Sequence, residues 1–440
     1  MSLTDEQIIE ILIESNFWKQ NQKTGIIRNY YLEKLSNLAQ PGMAVTIVGP
    51  RRSGKSTIMN QLIERLIKKG IPRENTLYVN FEDPRFYGEL NPIFMSKLFD
   101  AYKMILKPEG KIHIFLDEIQ NIKNWEKFVR FLVDQKKHEI YLTGSSSKLL
   151  SKELGTLLTG RHLDLTIYPL SFSEFLSFNG ILINDRLDLL EQKATIRRMF
   201  DKYMKWGGFP GIILGKNKQE MLLNYIADIL SRDIIERFNI IKVDGLKSLS
   251  RYYMTNTASL ISFNSIKGFL NMPIDTIERF SEYLNTAFLF FYLKRFSYSL
   301  KEQEKNPRKV FSIDTGLRNV VSMSFSEDKG KVLENIVFLK FLQCGSEVYY
   351  WKDKQGYEVD FVIVKKGKVS SAYQVSYNVT DARTKSRETN ALIRALKFFD
   401  LQEGAIITEN QEAEENIKGF GIKYVPAWKF MFDFVDVEKS

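Results

Sequence analysis

The sequence predicts an α/β chain whose amino-terminal third is a parallel sheet covered by helices. Three observations predict it. Apolar, β-branched runs alternate with helical apolar periods, the mark of strand–helix–strand units. A Gly-rich turn joins the first such run to a helix, and a later run ends in two adjacent acids, Asp117 and Glu118.

Each element follows in order. Residues 1–40 read as a helical preface, with Ile8, Ile9, Leu12 and Ile13 at helical spacing. Val45-Thr46-Ile47-Val48 is the first strand. The helix after it carries Met59, Leu62, Ile63, Leu66 and Ile67 on one face. Leu77 to Phe81, Ile112 to Leu116 and Glu139 to Thr143 read as three further strands. From about Ser171 to Phe238 the pattern is mostly helical, broken at Gly207-Gly208-Phe209-Pro210-Gly211.

Composition bounds the class. The chain has 440 residues, 63 Lys+Arg against 53 Asp+Glu, and a formal charge of +10. At about 100–200 residues per domain it holds roughly two to four domains. Hydrophobic residues at 44% and charged residues at 26% exclude global disorder and a fibrous chain. Cys344 is the one cysteine, so no intrachain disulfide forms and no Cys/His zinc finger can be built, even with His113, His138 and His162. The basic balance permits nucleic acid as a partner without requiring it. The first residues carry early acids and no basic stretch or small-residue cleavage site, so no signal peptide is expected. The longest strongly apolar runs, such as Ala287 to Leu293, fall far short of the ~20 residues that span a bilayer. A soluble, cytoplasmic protein is the expectation, with no membrane partner.

Gly49-Pro50-Arg51-Arg52-Ser53-Gly54-Lys55-Ser56-Thr57 contains G-x-x-x-x-G-K-S directly after a strand and before a helix. Such a loop aims backbone N–H groups at phosphate oxygens, and the helix N-terminus adds its positive end. Lys55 is expected to reach the β- and γ-phosphates of ATP, and the Ser56 hydroxyl to ligate Mg2+. Arg51 and Arg52 either touch phosphate or face solvent or a partner. Asp117 is expected to hold the Mg2+ shell, and Glu118 to polarise the attacking water as general base. Two acids at a strand tip are also what a solvated turn would show.

These residues resemble the AAA-type P-loop ATPases. That resemblance implies a polar γ-phosphate sensor where Thr143-Gly144-Ser145-Ser146-Ser147 ends its strand, with Ser145 or Ser146 as candidate. Gly160-Arg161, the stretch Tyr168 to Phe175 and the Gly207-Gly208-Phe209-Pro210 turn resemble an archaeal and bacterial branch with a second, C-terminal domain of uncertain role. Arg161 could then be an arginine finger, in cis or from a neighbouring subunit, or an ordinary surface residue.

Residues 245–322 read as a winged helix. One helix begins near Ser262 or Asn264, and a second runs from Ile274 to Leu284. Leu289 to Leu293 and Lys309 to Ile313 are the wing strands. The stretch 301–309 reads as an exposed basic loop carrying Lys301, Lys305, Arg308 and Lys309, suited to phosphate contact. Asp275, Glu278 and Glu282 on the second helix argue against base readout.

Farther on, Glu334 lies on an apolar helix, Asp360 on a strand, and Gln374 and Ser376 on the next. The arrangement resembles the PD-(D/E)xK nuclease fold, whose carboxylates hold Mg2+ for phosphodiester cleavage. Ser376 stands where that pattern has lysine and Gln374 where an acid is commoner. Gln374 could still ligate through its carbonyl oxygen, and Lys352 or Lys385 could move in. A degraded, inactive site is expected.

The expected fold class is therefore α/β: a P-loop NTPase (AAA-like) parallel sheet with helical lid, a winged helix, and a C-terminal restriction-endonuclease-like α/β domain. The expected boundaries are 1–172 for the ATPase core, 173–240 for the lid, 241–325 for the winged helix and 326–440 for the nuclease-like domain. The expected function is ATP hydrolysis with Mg2+, the cycle controlling the winged-helix and nuclease-like domains. Double-stranded DNA and a protein client are both open as partners, and oligomerisation is open too. The alternatives are a Mg2+-dependent DNA nuclease regulated by ATP, and a protein-interaction ATPase with no nucleic-acid role.

Overall fold

The computed structural model describes residues 3–144, 160–322 and 328–432. The chain divides into two compact units, Met1–Ile167 and Tyr168–Ser440. No helix among the described residues is long and apolar enough to cross a membrane.

The first unit is built on strands β1 (Ala44–Val48), β2 (Thr76–Asn80), β3 (His113–Asp117), β4 (Glu139–Gly144) and β5 (His162–Thr166). They lie in the order β2-β3-β4-β1-β5, all parallel, the sheet of a P-loop NTPase. Strands β1, β3 and β4 are buried at every position, as parallel strands covered on both faces must be. The helix Lys55–Lys68 buries Ile58, Met59, Leu62 and Ile63, which is why its apolar residues recur every three or four positions. The preface supplies the helices Asp5–Ser15 and Asn29–Leu38. Between them the chain covers the open edge of β2. The Asn16 side chain exchanges two hydrogen bonds with the Tyr78 backbone, at 2.7 and 2.8 Å, and Trp18 Nε1 donates to Thr76 O at 2.7 Å. Strand β5 was not expected from sequence. It is a half-exposed edge strand with an Asp at its centre.

In the second unit, residues from Phe172 to Glu236 are mostly helical. Next come the helix Val243–Thr255, strand β6 (Ser259–Ile261), helices Phe263–Leu270 and Ile274–Thr286, strand β7 (Phe290–Leu293), the short helix Leu300–Lys305 and strand β8 (Arg308–Ser312). The three strands form an antiparallel sheet in the order β6-β8-β7. Ser262, not Asn264, caps its helix, accepting from the Ser265 N–H. The stretch 301–309 is not an exposed loop throughout. It is helical to Lys305, and Lys309 is buried.

The chain then forms the helix Lys329–Gln343 and strands β9 (Glu347–Lys352), β10 (Glu358–Lys365), β11 (Lys368–Val375), β12 (Glu403–Thr408), β13 (Ala413–Ile417) and β14 (Phe420–Pro426). The sheet order is β13-β14-β12-β11-β10-β9. The helix Ala382–Phe399 packs Leu392 and Leu396 into the core on one face of the sheet. On the other face, Phe338, Phe361 and Tyr373 share one continuous core with Phe311 of β8 and with the helices of 172–234.

The glycine turn at 207–210 is a packing joint. Gly207 has φ +73, and a Cβ there would lie 2.0 Å from the Asp314 carboxylate. A Cβ on Gly208 would lie 2.4 Å from the Leu170 carbonyl oxygen. Asp314 accepts from the Gly208 N–H at 2.6 Å and the Leu317 N–H at 3.1 Å. Burial pushes the Asp314 carboxyl up to about 6, against the pull of these N–H donors. Gly208→Ala should therefore destabilise by about 1–3 kcal/mol or more, since a backbone oxygen cannot step aside. Thermal unfolding measures this as a lower Tm, and an unchanged Tm would mean that the close approach is not there.

Candidate functional site

At the end of β1 the chain must turn sharply beneath the segment leaving β5. The Ile167 N–H donates to Val48 O at 2.7 Å, and a Cβ on Gly49 would lie 2.2 Å from Ile167 O. Only glycine fits there. The loop continues through Pro50 and Arg51 to Arg52 and Gly54, both at positive φ, and Gly54 starts the helix Lys55–Lys68. Lys55 is buried, its Nζ donating to the carbonyl oxygens of Gly49 at 3.0 Å and Pro50 at 3.2 Å. Among the described residues the Ser53 hydroxyl is buried without a hydrogen-bond partner. Arg51 leans toward Glu82 at 3.5 Å, while Arg52 and Thr57 are exposed.

One buried cation near the loop was not foreseen. Arg28 is 3% exposed, stacks over the Tyr31 ring at 4.4 Å, and donates from Nη1 to Ser53 O at 3.0 Å. A lone Arg in a helical preface carries no local sequence signal for this role.

Asp117 ends β3 and is almost wholly buried. Its Oδ2 accepts from the Tyr78 hydroxyl at 2.6 Å and its Oδ1 from the Thr143 hydroxyl, and the Ser56 hydroxyl lies near enough to favour its charged form. Burial pushes its pKa up, Glu118 beside it adds to the rise, and the three hydroxyls oppose it. Glu118 sits at φ +53, in the left-handed region, and its N–H donates to Thr143 Oγ1 at 2.8 Å. Gln120 donates to its carboxylate. The Thr143 hydroxyl thus joins both acids, because β4 lies between β1 and β3 in the sheet.

Two expected members stand apart. Arg161 lies at the other end of the strands. Its carbonyl accepts from the N–H of Ala44, the first residue of β1, and its side chain pairs with Asp134. At about 3.3 Å per residue, the length of β1 separates it from the phosphate loop. That corrects the reading of Arg161 as a finger in cis. Ser145 lies outside the described residues, as does Ser146.

The second unit gathers a different cluster. Glu334, from the helix Lys329–Gln343, meets Glu358 and Asp360, from β10, around the ammonium of Lys309 from β8. The distances are 2.9, 2.9 and 2.7 Å, and the lysine side chain is only 4% exposed. Desolvation acts to lower the Lys309 pKa, but Asp360, Glu334 and Glu358 together hold it well above its ordinary value. Burial, and then Asp360, push the Glu334 carboxyl up. Burial acts in the same sense on Glu358, but Lys309 and Lys352 outweigh it and keep that carboxyl low. Beside the cluster is a cleft of about 490 Å³, lined by Glu358, Asp360, Gln374, Arg387 and Glu388 among others.

The other expected residues of this region are committed elsewhere. Gln374 Oε1 accepts the Asp360 N–H at 3.2 Å, and its Nε2 donates to Glu388 at 2.6 Å. Ser376 Oγ turns to the Asn378 carbonyl at 3.3 Å. Lys385 pairs with Glu415, and Lys352 reaches Glu358 only at 3.4 Å. The lysine that reaches the acids is Lys309, which sequence reasoning had assigned to an exposed phosphate-binding loop.

Comparison with known proteins follows this division. Residues 42–176 match a family model described as an AAA domain. Residues 197–328 and 329–430 match two models described as domains of unknown function, DUF8612 and DUF4143. The uncharacterized protein MJ1544 of Methanocaldococcus jannaschii is 36% identical over 411 residues, covering 90% of this chain and 89% of its own. An uncharacterized protein of Haemophilus influenzae is 31% identical over 413 residues, covering 92% and 99%. Among solved structures, AMPPCP-bound DnaA from Aquifex aeolicus is 14% identical and covers 61% of this chain and 93% of its own. Its TM-score of 0.26 is too low to carry an argument.

Thr143→Val keeps the shape of the side chain but leaves the Glu118 N–H without its acceptor and Asp117 short of a donor. A loss of roughly 1–3 kcal/mol is expected, with Thr143→Ser keeping most of the wild-type stability. Denaturant unfolding of the three proteins checks this, and equal midpoints would remove Thr143 from the site.

Proposed function

The chain belongs to the family that contains MJ1544 and the Haemophilus influenzae protein, and we propose that it works there as a Mg2+-dependent ATPase whose cycle drives its carboxy-terminal half. The chain carries an AAA domain, and ATP binding and hydrolysis are what such a domain supports. One observation carries the finer reading. The loop residue Ser56, next to Lys55 after β1, lies beside Asp117 at the end of β3, and Thr143 is bonded to both Asp117 and Glu118.

In this reading the loop from Gly49 to Thr57 wraps the phosphates, and Lys55 leaves its two loop carbonyls for phosphate oxygen. A hydroxyl and a carboxylate side by side suit a hard divalent ion, so Ser56 and Asp117 would hold Mg2+. That ion, when bound, supplies charge neutralisation at the phosphates. Glu118 takes the proton of the attacking water, its backbone fixed by Thr143 and its carboxylate by Gln120. Arg161 can serve only from a neighbouring copy.

For residues 241–325 the order helix, strand, helix, helix, strand, short helix, strand, and then the helix Thr315–Val321, with a three-stranded antiparallel sheet, supports a winged helix. Its outward face favours a protein client over DNA. Asp275, Glu278 and Glu282 are exposed on Ile274–Thr286 against Arg279, and acids repel phosphate. Lys309, which was to add positive charge, is buried. For residues 326–440, a mixed sheet with helices on both faces supports a nuclease-like fold.

Nucleotide binding and turnover test the ATPase reading. Lys55→Ala should weaken ATP binding roughly 10- to 100-fold, the worth of charge-assisted hydrogen bonds. Glu118→Gln should keep ATP bound and lower turnover about 10²–10⁴-fold. Wild-type turnover in both variants would overturn the assignment. A salt-sensitive rise in turnover on adding duplex DNA would overturn the preference for a protein client.

A further inference from the structure

A nuclease built on this second sheet would hold a divalent metal among its carboxylates. The residues here do not fit one. Glu334, Glu358 and Asp360 each turn an oxygen to Lys309 Nζ, within 2.7–2.9 Å. The remaining oxygen of Asp360 accepts the Val375 N–H at 2.9 Å, and the remaining oxygen of Glu358 faces Lys352. The Gln374 carbonyl oxygen accepts the Asp360 N–H, and its amide nitrogen donates to Glu388. Among the described residues, no group of three or more His, Cys, Asp or Glu is arranged to hold a metal ion.

The strand that carries the lysine is held in place. Lys309 lies on the central strand of the β6-β8-β7 sheet, paired in register with Leu260 and Leu293. Strand alternation puts it on the same face as Phe311, whose ring stacks on Phe338 at 4.2 Å. Asn335, one residue after Glu334, clamps β8 with two hydrogen bonds to the Ser312 backbone, at 2.8 and 3.0 Å. A buried side chain held this way cannot touch a phosphodiester, so Lys309 is not the missing catalytic lysine either.

We propose that Lys309 is the resident cation of this site. Its ammonium takes the place that a divalent metal would occupy, so the carboxylates bind neither Mg2+ nor Mn2+ and the module cuts no nucleic acid. The inference is independent of the ATPase reading, and the failure of either leaves the other standing.

The test is Mn2+ uptake by the full-length, nucleotide-free protein, followed by the loss of the free Mn2+ EPR signal. Wild type, Asp360→Asn and Glu358→Gln should take up Mn2+ identically, since any binding at the phosphate loop is common to all three. Lys309→Ala should bind an additional Mn2+ per chain, and Lys309→Ala/Asp360→Asn should lose it again. Mn2+ should raise the Tm of Lys309→Ala more than that of wild type. A wild-type Mn2+ that disappears in Asp360→Asn or Glu358→Gln would overturn the proposal, as would a folded Lys309→Ala with no additional ion. If Lys309→Ala does not fold, the comparison of wild type with the two carboxylate variants still decides. Equal uptake upholds the exclusion of metal, and unequal uptake refutes it.

Discussion

Taking an ammonium or a carboxylate out of water costs several kcal/mol per ion, and only close, well-hydrogen-bonded partners offset it. Much of the second unit is arranged around that requirement. Lys309 is surrounded on three sides by Glu334, Glu358 and Asp360. Each of these comes from an element that must keep its position for the charges to balance. Strand β8, the helix Lys329–Gln343 and strand β10 are therefore fixed to one another electrostatically as well as by the Phe311–Phe338–Phe361 core. The backbone adds to it. The Phe296 N–H donates to Tyr350 O, and the Tyr350 N–H to Lys294 O, so the chain beyond β7 pairs with β9.

The first unit obeys a different constraint. A parallel sheet presents the carboxyl ends of all its strands at one edge, and ligand sites of such sheets gather there. The phosphate loop, the acid pair and Thr143 meet because β4 lies between β1 and β3. The same geometry removes Arg161 from that edge, since it leads into β5 at the amino end.

How much of this could be read from sequence depended on separation along the chain. The phosphate loop was legible because strand, turn and helix are contiguous, and Asp117-Glu118 because two acids ending an apolar run stand out. Thr143 was visible only as the start of a polar run. Its bridge to Asp117 and Glu118 depends on a strand order that no local pattern encodes. Strand β5 is an edge strand in which Leu163 and Leu165 alternate with polar residues, and β6 is an edge strand of only three residues. Lys309 was misread because it sits in a charge-rich stretch, 25 residues before Glu334 and 51 before Asp360. The usable signal was its phase. A strand alternates faces, so Lys309 had to share a side with Phe311 and be buried with it.

The Lys309 cluster also bears on how this polypeptide is made. The two matched segments meet at 328/329, yet the ammonium lies before that junction and its three carboxylates after it. A chain synthesised from its amino terminus completes β8 before any of those acids exists. Until residues 329–360 arrive, the nascent three-stranded sheet must keep the Lys309 head in water and the Phe311 face uncovered. The carboxy-terminal segment then folds onto a template already bearing the charge it needs. Expressed alone, it would keep Glu334 and Asp360 without the buried ammonium they face, with only Lys352 beside Glu358, so the junction visible in sequence cuts through the charge cluster that joins the two segments.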